Sequence, residues 1–461
     1  MKPRFVSISA IICTLGLALF QARSVQADET LSLTGYVQFD KRFLVQQDGA
    51  PQYPMYHTGY LELQADPSDD VEARISTMIR YYDFSALKDV EGITDSDQAF
   101  PLDILLWEAY VDLYSFAGIE GLDLRIGKQR IAWGTADRLN PTDNLNPDDF
   151  TDFFNFGAKV PTWALKMEWS IIEDRLKLTG VFLPGIVPIS LPRFGEMPLM
   201  TGDLPVGRLP EGMKIEGMRS SVASPKYDFE HLMQAVKVSG TLLTVDWSVS
   251  YFHGWDDLFY PYKVNVELQS LNSVTINTEM AYPELHVVGF DLAGELFTVG
   301  WWAEVAVFIP ERECDTFVTI PTGISSYQTT KSAALKDDPY VKYTVGLDYT
   351  FSWGTYLNFQ YSRGFFTERG KGQLHDYFMA RLEQKFLNDD LTLALSAFYE
   401  TKQFENITDD YGIGVSPEIT WKPYDNVDLV LGYMAVLGGG NSLFAAFNDW
   451  DMAYLKIKAS F

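Results

Sequence analysis

Apolar and polar residues alternate along most of this chain. Over 31–43 the odd positions carry Leu31, Leu33, Gly35, Val37, Phe39 and Phe43, interrupted by Lys41, and the even positions carry Ser32, Thr34, Tyr36, Gln38, Asp40 and Arg42. Over 71–81, Val71, Ala73, Ile75, Ile79 and Tyr81 alternate with Glu72, Arg74, Ser76 and Arg80. The same rhythm returns at 243–251, 341–351, 391–399 and 427–437. A period of two sends successive side chains to opposite faces of an extended strand. The pattern predicts eighteen strands, over 31–44, 55–66, 70–84, 103–114, 122–131, 160–170, 175–184, 229–240, 243–254, 283–293, 297–309, 339–351, 355–365, 374–386, 390–401, 411–421, 426–437 and 450–461. Each is close to the roughly ten residues that a tilted strand needs to cross the hydrocarbon of a bilayer.

The connections alternate too. Tight turns fall at 67–69, 117–121, 171–174, 239–242, 294–296, 352–354, 387–389 and 422–425. Between them lie long connections at 45–54, 85–102, 132–159, 185–228, 255–282, 310–338, 366–373, 402–410 and 438–449. Short turns on one side and long loops on the other predict an all-β fold: a transmembrane antiparallel up-and-down β-barrel with periplasmic turns and extracellular loops. An even strand count places both termini in the periplasm. A further hairpin at 264–277 is compatible with the pattern, so the count lies between 16 and 20. An open sheet edge in lipid leaves N–H and C=O groups unpaired at several kcal/mol each, so the sheet must close. A barrel of this size encloses more space than its inward side chains fill, which predicts an aqueous channel unless loops occlude it.

The ends of the chain agree. Lys2 and Arg4 precede an apolar stretch from Phe5 to Phe20, and Val25-Gln26-Ala27 supplies small residues at the cleavage positions. Residues 1–27 therefore read as a secretory signal peptide, and 28–461 as one outer-membrane barrel domain. Cleavage removes Lys2, Arg4 and Arg23 and no acid, taking the formal net charge from −26 to −29. That balance argues against a nucleic-acid partner and suits a lipopolysaccharide leaflet bridged by cations. Cys314 alone remains, which excludes an intramolecular disulfide. Aromatic residues make up 15% of the sequence, as expected for girdles at two membrane interfaces. Trp107, Trp133, Trp163, Trp255, Trp353, Trp421 and Trp450 lie near strand ends and read as such anchors.

The most distinctive segment runs from Gly127-Lys128-Gln129-Arg130 through Trp133-Gly134 to two Asn-Pro-x-Asp units, at 140–143 and 146–149. Asn and Asp cap local backbone and Pro fixes φ, so each unit starts a turn. One reading is a rigid, turn-rich loop. The other is a constriction folded into the mouth, where Asp137, Asn140, Asp143, Asn146, Asp148, Asp149 and Asp152 set a negative potential or hold Ca²⁺. The acid spacing does not match an EF-hand.

These residues also carry a family resemblance. The Gly-Lys-Gln…Trp-Gly…Asn-Pro-x-Asp segment is joined by Phe182-Leu183-Pro184, Leu191-Pro192, the 251–257 segment Tyr-Phe-His-Gly-Trp-Asp-Asp, and the 345–351 segment Val-Gly-Leu-Asp-Tyr-Thr-Phe. Together they resemble the uncharacterised porin-like outer-membrane barrels of Gram-negative bacteria, and more distantly the alginate-export-type porins. The resemblance implies a passive channel and supplies neither a substrate nor catalytic residues. The chain lacks a Lys-rich arch of the alginate-export kind. Its last strand, Ala453 to Phe461, alternates and ends on an aromatic, and so resembles the C-terminal signature by which such barrels engage their assembly machinery.

Alternation also names the water-facing side chains. Arg74, Arg80, Asp123, Arg125, Lys342, Asp348, Arg381, Glu383, Lys385, Lys456 and Lys458 are expected to line the lumen. They are either a solvated ladder of paired charges or a selectivity lining for a small polar solute. Acidic loops would then gather cations or neutral solutes at the mouth, and a mildly basic wall would sort them. No cofactor is expected. The five His (57, 231, 253, 286, 375) show no metal-ligand spacing, and there is no nucleophile elbow or phosphate loop. A barrel lipase drawing on His231 or His286 ranks last. A non-conducting receptor or an assembly or export barrel, with partner-binding loops at 185–228, 255–282 and 310–338, remains the alternative to a channel. A homo-oligomer is compatible with either.

Overall fold

The structure is a computed structural model, and it describes residues 31–45, 57–82, 101–152, 154–173, 175–191, 214–226, 228–270, 272–321, 326–402, 404, 409–448 and 450–461. The expected signal segment lies outside the described residues.

The described residues form 23 strands: β1 (Leu31–Leu44), β2 (His57–Ser68), β3 (Val71–Tyr81), β4 (Leu102–Leu113), β5 (Leu122–Gln129), β6 (Thr162–Ile172), β7 (Leu176–Leu183), β8 (Lys214–Ala223), β9 (Met233–Leu242), β10 (Val245–Trp255), β11 (Tyr260–Ser270), β12 (Ser273–Ala281), β13 (Glu284–Leu296), β14 (Val299–Pro310), β15 (Cys314–Pro321), β16 (Tyr327–Leu335), β17 (Tyr340–Thr350), β18 (Thr355–Arg363), β19 (Asp376–Phe386), β20 (Leu391–Thr401), β21 (Tyr411–Tyr424), β22 (Val427–Gly439) and β23 (Met452–Ser460). Eighteen of them make one antiparallel sheet. Going round, the order is β1 to β7, β9, β10, β13, β14, then β17 to β23. The first strand pairs with the last, Tyr36 opposite Ser460 and Leu44 opposite Met452, so the sheet closes. Each of the eighteen strands expected from alternation is present, with ends shifted by a few residues. Short and long connections alternate around the ring, and β1 begins and β23 ends on the side of the short turns.

The other five strands form a separate sheet in the order β16-β15-β11-β12-β8, built from three long connections. The hairpin anticipated at 264–277 exists here, pairing Val264 with Thr278 and Val266 with Ile276. It stands outside the barrel wall and leaves the barrel count at eighteen.

The alternation sorts into two environments. On β1, Leu33, Phe39 and Phe43 are exposed, whereas Asp40 and Arg42 on the opposite face are buried. On β17, Val341, Val345 and Leu347 point out, and Lys342 and Thr344 point in. The outward residues form a band of exposed Leu, Ile, Val and Phe that water does not favour and lipid does. Inside, the wall is fitted: a side chain on Gly346 would collide with the Trp302 ring on the neighbouring strand. Val345 sits mid-strand in the apolar band, 50% exposed. Val345→Arg is expected to lose about 2–4 kcal/mol, the cost of a charge at the bilayer midplane. The shift from heat-resistant folded barrel to unfolded chain on unboiled gels measures it.

Trp163, Trp353 and Trp421 are exposed at strand ends, as interface anchors should be. Trp133 is not. It is buried in the barrel interior, with the Lys237 ammonium 4.4 Å from its ring centre. Trp107 lies under Arg80, 5.2 Å away, and lines the lumen. Both tryptophans belong to segments whose period of two breaks: a bulge between β3 and β4, and the end of β5.

Candidate functional site: a loop folded across the lumen

The connection between β5 and β6 does not leave the barrel. It turns inward, and the two Asn-Pro-x-Asp units explain how. Asn140 Oδ1 accepts the Thr142 and Asp143 N–H groups at 3.2 and 3.1 Å, closing the first turn. Asn146 clamps the loop's base. Its Oδ1 accepts the Ile131 N–H at 2.7 Å, and its Nδ2 donates to Gln129 O, Val160 O and Thr162 Oγ1, each at 3.1 Å. One buried amide thus joins the strand that enters the loop to the strand that leaves it.

Glu304, an inward residue of β14, receives the loop on another stretch of wall. Its carboxylate accepts N–H groups from Thr135, Ala136 and Thr142 and the hydroxyls of Thr135 and Thr142. Next to it, Leu139 O accepts from Thr344 Oγ1 on β17 at 2.9 Å and from Gln360 Nε2 on β18 at 3.3 Å. The loop tip then reaches β3 and β1. Asp149 pairs with Arg80 at 2.6 Å, and Asp152 pairs with Arg42. The tip is also held from above: Asp148 pairs with Lys159 at 2.6 Å, and Asp257 accepts the Asp148 N–H at 2.9 Å. Asp257 lies beside Asp256, which Arg369 grips through two guanidinium nitrogens.

Aromatic rings close the upper side. Phe150, Phe154 and Phe156 of the loop pack against Phe365, Phe398, Phe444 and Phe447, with ring centres 5.6–6.3 Å apart. The connections that carry Phe365 and Phe444 are themselves tied together. Glu400 accepts the His375 Nδ1 contact at 2.6 Å and the Leu443 and Phe444 N–H groups, and Glu368 accepts the Phe365 and His375 N–H groups.

Beneath the loop the lumen keeps a cavity of about 780 Å³. It is lined by charges of both signs, among them Asp137, Arg138, Arg381, Glu418 and Lys456. Arg381 bonds Glu383 and Ser396 at 3.1 Å and lies 3.8 Å from Glu418. Lys456 approaches Asp40 at 3.6 Å.

The structure thus distributes the candidates. Arg80 and Arg381 line this cavity, and Glu383 flanks it through Arg381. Arg74 and Arg125 face inward over Tyr110, with Arg125 bonding Asp112 at 2.7 Å. Asp123 caps the Ser115 N–H at the short-turn end, Asp348 accepts from Tyr356, and Lys385 is exposed near that end. Lys342 is covered, its ammonium donating to Phe365 O at 2.7 Å. Of the loop acids, Asp137 is exposed to the lumen. Asp143, Asp148 and Asp149 are buried, with Arg130, Lys159 and Arg80 as their partners, so most of the loop's negative charge is neutralised inside it. Glu304 and Asn146's clamping role were missing from the sequence reading. The signal for Glu304 was a lone acid in the apolar run 299–310.

Two loop groups give a pH dependence. Burial pushes the Asp257 carboxyl up to about 7, and Asp148 and Asp256 add to the rise. Burial opposes the charge on His375, but Glu400 and Glu368 outweigh it and raise its pKa. Both are raised in the folded state. Their contributions are therefore complete below the unfolded pKa values, roughly 4 and 6.5, and are lost as pH rises through the folded ones. The loop and its aromatic cover are expected to hold tighter at pH 6 than at pH 9. Open-state current noise that grows across this range, and grows less in Asp257→Asn, is the check.

No family model matches the chain, and no curated protein matches it. Solved structures do. Acinetobacter baumannii OccAB3 is 10% identical, with 94% of this chain and 98% of that one aligned at a TM-score of 0.51. Pseudomonas aeruginosa OccK11 (OpdR) aligns at 9% identity and TM-score 0.44, over 94% and 95%. Wzi of Escherichia coli, described as a carbohydrate-binding barrel involved in capsule assembly, aligns at 12% and 0.45, over 100% and 90%. The chain has the fold of a porin-like outer-membrane β-barrel.

Proposed function

We propose that this protein sits in the outer membrane as a passive channel for small polar solutes, with the 132–159 loop as its constriction. The observation that carries the reading is the 780 Å³ charged cavity under a loop fastened to the wall at several points. Its volume falls in the roughly 300–1,000 Å³ range of small-molecule sites. Arginines and carboxylates facing each other across a narrow passage orient a dipolar solute rather than exclude one sign of charge. Asp137, Arg138, Arg381, Glu418 and Lys456 are the proposed lining, and Asn140, Asp143, Asn146, Asp148 and Asp149 hold the loop. Swelling of proteoliposomes in sugars, amino acids and organic ions of graded size tests it: faster swelling with small polar solutes is expected, and no permeability above that of empty liposomes speaks against a channel.

A second reading has one observation in its favour. The five-stranded sheet on the long-connection side ends in β8 and β16, whose side chains are almost all exposed. Such edges suit a receptor or assembly role through added strands.

A further inference from the structure

We propose a site for a divalent transition ion of the Zn²⁺ class on the outer wall of the barrel, made by His253, His286 and Glu311. His253 on β10 and His286 on β13 are direct cross-strand partners. Their imidazoles stack 4.4 Å apart at 15°. The chain returns after β14 to place Glu311 beside them, its N–H bonded to Glu284 O at 2.9 Å. One ligand atom from each of the three lies within 4.8 Å of the others.

The surroundings are those of a ligand set. Tyr251 OH lies 2.8 Å from His286 Nδ1. With Nδ1–H donating to that oxygen, Nε2 keeps its lone pair for a metal, the usual way a second group fixes a ligating tautomer. Glu284 Oε1 is 3.3 Å from His253 Nε2, and the Glu284 side chain is also within hydrogen-bond reach of Glu311. Two adjacent carboxylates beside two imidazoles repel one another unless a proton or a cation lies between them. Nitrogen and oxygen donors in this ratio favour Zn²⁺ over Ca²⁺ or Mg²⁺. The other candidate trio, Glu368, His375 and Glu400, differs: its carboxylates are filled by backbone N–H groups and the Tyr377 hydroxyl.

The site looks away from the lumen. His253 shares its face with the exposed Val249 and Tyr251, and His286 with the exposed Val288 and Phe290. It lies at the long-connection ends of three adjacent strands. Its role is therefore to staple the rim of β10, β13 and β14, independently of what passes through the barrel.

The test is a Zn²⁺ titration of untagged, chelator-washed protein in detergent, followed by calorimetry at pH 7.5. One saturable site is expected, weakened at least tenfold in Glu311→Gln and lost in the His253→Gln/His286→Gln double variant. Unboiled gel mobility verifies that each variant is folded. Binding is also expected to weaken as the pH is lowered, because a nitrogen or oxygen donor must be deprotonated to ligate a metal. Absence of saturable Zn²⁺ binding to the parent protein overturns the proposal. So does binding that survives the double variant and disappears in His375→Gln, which would move the ion to the other trio.

Discussion

Glu304→Ala is expected to raise the unit conductance several-fold and to add large, noisy substates. The wall carboxylate accepts three loop N–H groups and two threonine hydroxyls. Alanine leaves these donors without that acceptor in a crowded interior, at about 1–3 kcal/mol for each buried one left unsatisfied. On this stretch of wall the loop then keeps the Leu139 contacts and two long bonds to β18, Arg138 N–H to Gln360 at 3.5 Å and Asn358 to Asp137 at 3.4 Å. The barrel's own ladder of backbone bonds is untouched, so the variant should still run as a folded barrel on unboiled gels. Glu304→Gln keeps one acceptor oxygen and should fall between parent and alanine. Single-channel recordings decide the matter; a folded Glu304→Ala variant with parental conductance would mean that the loop does not limit flow.

Arg381→Glu should give the largest change in ion preference. Arg381 faces the cavity between Glu383 and Glu418. Replacing it changes the local charge by two units and leaves three carboxylates together. At an effective dielectric of about 20 and a distance near 7 Å, each unit of charge acts on a passing ion with about 2 kcal/mol before salt screening. Since about 1.4 kcal/mol is a factor of ten, a several-fold rise in cation over anion permeability survives substantial screening. Reversal potentials under a KCl gradient should shift toward the cation limit in Arg381→Glu and toward the anion limit in Glu418→Lys. Equal reversal potentials in all three proteins would place the current path elsewhere.

Much of this architecture could be read from residue order, because lipid imposes a local rule. Each strand must show oil one face and water the other, so the period of two is written into every strand from β1 to β23 that joins the wall. The turn parity adds the topology. The second sheet escaped because it obeys no such rule. β8 and β12 pair in parallel from separate connections, and Tyr327–Leu335 is largely polar. Only the 264–277 hairpin left a local trace.

The loop was half legible. Two Asn-Pro-x-Asp units announce turns whatever surrounds them, and Asn140 acts through neighbours in sequence, whereas Asn146 reaches partners 14 to 17 positions away. The fate of the acids was not legible, because it depends on partners far along the chain. Asp149 meets Arg80 and Asp152 meets Arg42, across 69 and 110 positions. A run of acids that one of two readings made an open negative mouth is in large part a set of internal ties, while Asp137 stays exposed at the cavity.

The most direct measurement is planar-bilayer recording of the purified protein beside a version in which residues 136–157 are replaced by a short Gly-Ser linker. Discrete conductance steps in the parent, and markedly larger ones once the loop is gone, are expected. Two silent proteins, both folded and inserted, would contradict a water-filled passage beneath the loop.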